Sequence, residues 1–304
     1  MHEIEIELGF MMHFTKMKLA CFVAVVYAFL LVVDGASFDV AFDDIYEVVW
    51  GGDHVNFLNE RRDAQLWMDP AYGAGFGSKL NYGSGFIHMR IKLPDKDSAG
   101  VVTAFYLTSN SSKHDELDFE FLGNREGKPI TLQTNVFAQG VGNREQRTLL
   151  WFDPTADFHT YKILWNLYQI VFYVDEIPIR VYRNKMDIGV PYPNQPMSVQ
   201  ASLWNGEDWA TDGGQTKINW SNSPFIAHFQ GFHFGACSLP KTALDVEPCY
   251  QDLSNYWWNR SKYWQLSGKE QRQFNEVRQK YLNYDYCDDT SRHPTPPPEC
   301  QFNK

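Results

Sequence analysis

The segment His114–Gly123, HDELDFEFLG, holds the densest chemistry in the chain: Glu116, Asp118 and Glu120 alternate with Leu117, Phe119 and Phe121. Alternation at period 2 marks a half-buried strand, which puts the three carboxyls on one face while the apolar set enters a core. Like charges on one face repel each other and do nothing for folding. Their mutual field raises the pKa of at least one member, the condition a general acid requires. A solvated strand face and a carboxylate site for a hard cation are the plainer readings of the same spacing. Two carboxyls flanking a bond, one of them protonated, are also the equipment of glycoside cleavage. On a straight strand, Cα atoms at i and i+4 lie about 13 Å apart, whereas a retaining mechanism needs carboxyls about 5–5.5 Å apart. The strand must then be concave, with the long Glu side chains leaning together. Geometry alone leaves Glu116 with Asp118 as good a pair as Glu116 with Glu120.

The elements that must position these groups are short strands. Phe86–Leu93, Val101–Thr108, Thr131–Phe137, Thr148–Phe152, His159–Trp165, Ile170–Val174, Ile179–Tyr182, Met197–Leu203 and Ile226–Phe234 carry strand composition, punctuated by Gly, Pro, Asn and Asp. Val174–Pro178 reads as a tight hairpin connection. Many strands with almost no helical periodicity predict an all-β fold, a jelly-roll sandwich of two antiparallel sheets. One helix is expected over Lys269–Tyr281, with Phe274, Val277 and Tyr281 on one face. The tail His293–Pro298 is too rich in proline for regular structure and reads as an extended strap.

The N-terminus has the order of a secretory signal: Lys16 and Lys18, an apolar run Leu19–Val33, then Gly35, Ala36 and Ser37, with cleavage expected after Ser37. The run is short for a membrane span. Glu3, Glu5 and Glu7 are unusual ahead of a signal, and Met12 or Met17 would serve as the start. Residues 1–37 are thus read as the leader, 38–235 as the main domain and 236–304 as a small disulfide-linked extension containing the helix. Cys21 falls in the leader, leaving Cys237, Cys249, Cys287 and Cys300 as an even set in an exported chain. That set reads as two disulfides, neighbour pairing being the simplest of three connectivities, with a zinc site as the alternative. Three sequons occur, at Asn110, Asn219 and Asn259, and Asn110 stands on the approach to the acidic strand. A formal charge of −10 argues against a nucleic-acid partner. Aromatic residues make up 16% of the chain, more than a core needs, and flat ring faces suit the C–H surfaces of sugars.

HDELDFEFLGN resembles the active-site strand of glycoside hydrolase family 16, in the form carried by the plant xyloglucan endotransglucosylase/hydrolases. The resemblance runs on through GAGFGSK (73–79), SAGVVTAFYLTS (98–109), LQTNVF (132–137), NREQR (143–147), LWFDPTADFHTYKILWN (150–166), VDEIPIRVYRN (174–184), LWNGEDWAT (203–211), VRQKYLNYDYC (277–287) and PPPEC (296–300). It implies a curved jelly-roll with an open cleft across its concave sheet. It further implies Glu116 as nucleophile, Glu120 as acid/base and Asp118 as a hydrogen-bonding partner of the nucleophile. His114 would shape the strand edge.

Binding roles carry over in the same way. Gln133 and Asn135 would meet donor sugars, with Thr134 in support. Asn143, Arg144 and Glu145 match a loop at the cleft rim, where the family usually starts with Asp. Asp208, Trp209 and Gly213 fit the acceptor side, with Trp204 as a stacking platform, and Arg292 would extend the acceptor site from the extension. Asn124-Arg125-Glu126 breaks a sequon the family usually carries after its catalytic strand, and His293 replaces an aromatic. Hydrolytic members resemble one another in a lengthened loop before the REQR-like segment, and here Phe137–Asn143 is short. The resemblance therefore implies a secreted, monomeric cell-wall transferase with xyloglucan as both donor and acceptor. It needs no cofactor and has no membrane attachment after the leader is removed. A xyloglucan hydrolase, a non-catalytic glucan-binding sandwich and a mixed-linkage glucanase are the competing expectations.

Overall fold

The computed structural model describes residues 40–251 and 255–303, so the expected leader, with Cys21 and the alternative starts, lies outside the described residues. The strands are β1 (Tyr46–Trp50), β2 (Val55–Leu58), β3 (Asp63–Met68), β4 (Ala74–Lys92), β5 (Val101–Thr108), β6 (Glu116–Leu122), β7 (Thr131–Phe137), β8 (Gln146–Leu149), β9 (His159–Trp165), β10 (Gln169–Val174), β11 (Ile177–Arg183), β12 (Met197–Asn205), β13 (Phe225–Gln230), β14 (Gly235–Leu239) and β15 (Leu282–Asp285). Neighbours run β11-β10-β9-β4-β12-β5-β6-β7-β8-β15, and every ladder among the described residues is antiparallel.

The long strand β4 makes two layers out of this path. Its first half, Ala74–Tyr82, pairs with β12, and its second half, from Gly85 to Ile91, pairs with β9. Gly83 and Gly85 occupy the crossing. A Cβ on Gly83 would press on Cys249 Sγ and one on Gly85 on Ala236 Cβ, so only glycine lets β14 and the neighbouring disulfide approach there. Bulges between Ser198 and Gln200 and between Val48 and Trp50 add bend to the first layer.

Between the layers lies the core. Leu117, Phe119 and Phe121 of β6 are buried at 0–1% exposure. Phe119 packs edge-on against Tyr161 of β9 and Phe172 of β10, and Phe121 edge-on against Tyr161. Burying each such side chain contributes about 1.5–3 kcal/mol. That outweighs the repulsion of three carboxyls on the wet face and fixes the register of the strand.

Residues from Val40 onward gather into one unit. Its C-terminal part shares the sheets: β14 pairs with β4, and β15 pairs with β8. The helix spans Gly268–Tyr281 behind a capping box in which Ser267 and Glu270 each accept the other's backbone N–H, and it buries Phe274 and Val277. Cys237 bonds Cys249 and Cys287 bonds Cys300, with Cα separations of 5.7 and 5.6 Å, so neighbour pairing holds and no thiol of the four is left for zinc. Asn110 and Asn219 are exposed, whereas Asn259 is buried at 2% exposure, which removes its sequon from reach of a glycan.

Candidate active site

Strand β6 is anchored where it begins. Asp115 is fully buried, and its carboxylate accepts the backbone N–H groups of Gln139 (2.8 Å), Asn194 (2.7 Å) and Gln195 (3.0 Å), which pins two loops to the strand's entry. The pleat then sends Glu116, Asp118 and Glu120 out of the core.

Antiparallel pairing arranges the neighbours in rows across the wet face. Glu120 lies opposite Ala104 and Gln133, with Ser202 beyond Ala104 and Arg147 beyond Gln133. Asp118 lies between Tyr106 and Asn135, and Glu116 between Thr108 and Phe137. Ala104 and Ser202 are small and leave a hollow beside the acids. The three acids, Ala104, Tyr106, Gln133, Asn135, Phe137 and Ser202, together with Glu145, Trp204 and Trp209, enclose a cleft of about 440 Å³. A larger hollow of about 550 Å³ between loops 124–130 and 150–155 contains none of the three acids, so size alone does not mark the site.

The electrostatics separate the three carboxyls. Burial pushes Asp118 well above the usual carboxylate range, the charges of Glu116 and Glu120 push it further, and it shares a hydrogen bond with Glu116. The direction of that shift favours the protonated form of Asp118, in which it donates to Glu116. Burial also raises Glu120, opposed by the Gln133 amide, which donates to Glu120 Oε2 at 2.8 Å, and reinforced by the charges of Glu116 and Glu145. Arg147 Nε donates to Gln133 Oε1 at 2.7 Å, fixing which end of that amide faces Glu120. Tyr106 is pushed up to about 12 by burial and by Glu116 and Asp118, so its phenol stays protonated, and it donates to Gln200 at 3.2 Å. Asn135 Oδ1 accepts the backbone N–H of Val136 (2.9 Å) and of Arg144 (3.1 Å), which turns its NH2 group away from those amides. This arrangement supplies one carboxylate steadied by a protonated neighbour, one raised carboxyl beside it, and amide donors along the wall.

Of the residues expected from sequence, Glu116, Asp118, Glu120, Gln133, Asn135, Glu145, Trp204 and Trp209 line the cleft together. Trp204 and Trp209 stand 6.1 Å apart at one side. Arg292 reaches the rim, donating at 2.7 Å both to Glu145 Oε2 and to Asn143 Oδ1. Thr134 turns its hydroxyl into the interior, where it accepts from Arg180 at 3.0 Å. Arg144 does not project into the cleft. It is buried at 7% exposure and ion-paired at 2.8 Å with Glu299. Asp208 stands in solvent beside Lys217, and Gly213 occupies an exposed turn at φ 64°, in the left-handed region that favours glycine.

Other residues of the cleft were not singled out from sequence. Ala104, Tyr106, Phe137 and Ser202 follow from strand parity once the registers are known; Arg147, outside the lining, supports it by its pairing with Gln133. Trp50 lies over Gly75, where any Cβ would strike its indole, and Gly75 pairs with Ser202, so this exposed ring closes the β1 end of the concave face.

Residues 42–222 match the family model for Glycosyl hydrolases family 16, and residues 253–300 match that for the Xyloglucan endo-transglycosylase (XET) C-terminus. Among curated proteins, the chain is 58% identical over 261 residues to Xyloglucan endotransglucosylase/hydrolase protein 3 of Arabidopsis thaliana, covering 86% of this chain and 89% of that protein. It is 57% identical over 265 residues to protein 2 of the same series and organism, covering 87% and 90%. Solved structures with the same fold include a prokaryotic beta-1,3-1,4-glucanase (lichenase) from a mouse hindgut metagenome, at TM-score 0.52 and 20% identity over 66% of this chain and 97% of that one. Another is the Crh5 transglycosylase in complex with NAG, at TM-score 0.53 and 22% identity over 67% and 84%. With a jelly-roll under the acidic strand and both models matched in order, the chain is an enzyme of glycoside hydrolase family 16 and belongs to its xyloglucan endotransglucosylase/hydrolase group.

Proposed function

We propose that the protein is a xyloglucan endotransglucosylase that cuts the β-1,4-glucan backbone of xyloglucan and rejoins the new end to another xyloglucan chain. In this reading Glu116 attacks the anomeric carbon while the glycosidic C–O bond breaks, and Glu120 gives its proton to the departing sugar oxygen. Asp118 donates its hydrogen bond to the Glu116 carboxylate until that charge is consumed in the glycosyl ester. An acceptor hydroxyl then attacks the same carbon, Glu120 takes its proton, and Glu116 leaves as carboxylate. Gln133 and Asn135 hold the donor chain, and Trp204, Trp209 and Arg292 hold the acceptor.

The observation that carries the reading is the ordering of the three carboxyls: Asp118 is buried and bonded to Glu116, so the raised Glu120 is the acid free to serve the leaving group. The short Phe137–Asn143 loop favours transfer over hydrolysis, because an acceptor bound beside the intermediate presents its hydroxyl at high effective concentration. The relatives' names support xyloglucan as the substrate. Two disulfides and the expected leader support a reading of export to the cell wall, and in this reading the enzyme acts there as a monomer. Among the described residues no helix is long and apolar enough to cross a membrane.

The test uses long xyloglucan with a labelled xyloglucan oligosaccharide. Label is expected to enter polymer without a matching rise in reducing ends. Reducing ends rising with little label transfer would make the protein a hydrolase, and polymer retained but uncut would make it a binding protein.

A further inference from the structure

Arg144 has an interior role that the resemblance does not describe. Its guanidinium donates to the carbonyl of Val141, to that of Val136 at 3.3 Å and to that of Gly142 at 3.5 Å. The Val141 and Gly142 carbonyls belong to the short Phe137–Asn143 loop, and that of Val136 sits in β7 just before the loop begins. A Cβ on Gly142 would collide with the Phe137 ring, so the loop packs directly against Phe137, a cleft wall residue paired with Glu116. A buried arginine feeding neutral carbonyls still needs a counter-charge. Glu299 provides it at 2.8 Å and is itself only 3% exposed. Glu299 comes from the C-terminal extension and precedes Cys300, whose disulfide to Cys287 ties it to the end of β15. Tyr286 N–H donates to Glu145 O at 3.1 Å, and Arg292 grips Asn143 and Glu145. The extension therefore holds residues 143–145 from both faces.

We infer that Glu299 is a positioning residue: by neutralising Arg144 it keeps the short loop folded against Phe137, and so sets how well an acceptor competes with water at the intermediate. The inference rests on the transferase reading above for its effect on activity, but not for its effect on the loop. Glu299 touches no sugar. It acts through Arg144 on three carbonyls, and through them on the wall opposite Glu116. Loosening the loop leaves Glu116, Asp118 and Glu120 on their strand, so the bond-breaking step is spared while the acceptor side loses its shape.

The experiment compares the full-length wild type, Glu299→Gln, and the double variant Arg144→Met with Glu299→Leu. Each is read by amide hydrogen exchange over residues 137–145 and by label transfer against reducing-end release. Glu299→Gln removes a charge-assisted hydrogen bond and is expected to speed exchange across the loop about tenfold or more. Transfer should fall by a similar factor, with reducing-end release held within about twofold. The double variant removes both buried charges together, which lets the chain fold without a lone ion. It lacks the donors to the loop carbonyls, so fast exchange and poor transfer should persist.

Unchanged exchange over 137–145 in Glu299→Gln would overturn the inference. So would a double variant that regains wild-type transfer, or an equal loss of transfer and release accompanied by a fall in Tm. A wild type that only hydrolyses would refute the transferase reading instead, and the exchange data would still decide the loop.

Discussion

Replacing Glu120 with glutamine separates the two halves of the proposed reaction. The amide keeps a carbonyl where Glu120 Oε2 accepts from Gln133 at 2.8 Å, so the local hydrogen bond and the fold should survive. The proton does not. Loss of a positioned general acid slows the step it serves by about 10²–10⁴-fold, equivalent to roughly 3–5 kcal/mol of barrier. With xyloglucan, whose leaving group is a sugar hydroxyl, turnover should fall by that factor. An aryl glycoside with an acidic phenol leaves without protonation, so the attack by Glu116 should stay near its wild-type rate. Breakdown of the ester then lacks a base, and a covalent species should accumulate. The assay is intact mass spectrometry after mixing with the aryl substrate, with proteolysis to locate the added sugar on Glu116.

The pH profile gives a second reading of the same variant. Burial and like charges raise the folded pKa of Glu120, and the first step requires its protonated form, so wild-type activity falls as pH rises through that raised value. With the aryl substrate, Glu120→Gln should lose this alkaline limb. Turnover of xyloglucan within tenfold of wild type, or an adduct on any residue other than Glu116, would refute the assignment.

Asp118→Asn tests the buried proton through stability. The folded pKa of Asp118 is raised above its unfolded value, so its contribution to stability is fully present below the unfolded pKa and is lost as pH rises through the folded one. The variant should be more resistant to urea than wild type at neutral pH, with the gap closing toward the ordinary carboxylate range, while transfer falls. Parallel urea midpoints across pH would show that no proton is held there. Trp50→Ala tests the far end of the concave face: loss of one stacked ring should raise KM about two- to tenfold for long donors and leave short ones unaffected. Equal effects at both lengths would remove Trp50 from the site.

Much of this was legible because strands with one wet face write themselves as alternation. The bounds of β5, β7 and β9 match those read from composition, and so does the inward set Leu117, Phe119 and Phe121. The first half of β4 escaped because Gly75, Gly77 and Gly83 read as punctuation. In the fold, Gly75 and Gly83 mark places where an indole or a cystine lies against the backbone. Strands β1–β3 were not assigned, and β1 leaves Val49 and Trp50 exposed, against the usual sense of apolar residues. Strand β8 was expected over Thr148–Phe152 but runs over Gln146–Leu149, since Trp151 and Phe152 leave the ladder to pack on Tyr281 and His159.

Arg144 shows where sequence reading reaches its limit, and why. Its neighbours Asn143 and Glu145 do stand at the rim, and a motif that lists the three together assigns them one role. Backbone parity does not permit that, because the side chain between two outward neighbours points the other way. A guanidinium driven inward needs an anion and acceptors, and Arg144 draws these from Glu299, at 155 residues' separation, and from the loop preceding it. No local pattern encodes such a partner. The same reasoning explains why the extension is built into the body. Strand β15 covers the edge of β8 that would otherwise be open to pairing, Glu299 neutralises Arg144, and Arg180 lies buried within reach of the field of Asp285. Removing the extension would leave an open edge and an uncompensated ion directly behind the acidic face, so the segment that brings Arg292 to the cleft rim is also the one that keeps the sheet in shape.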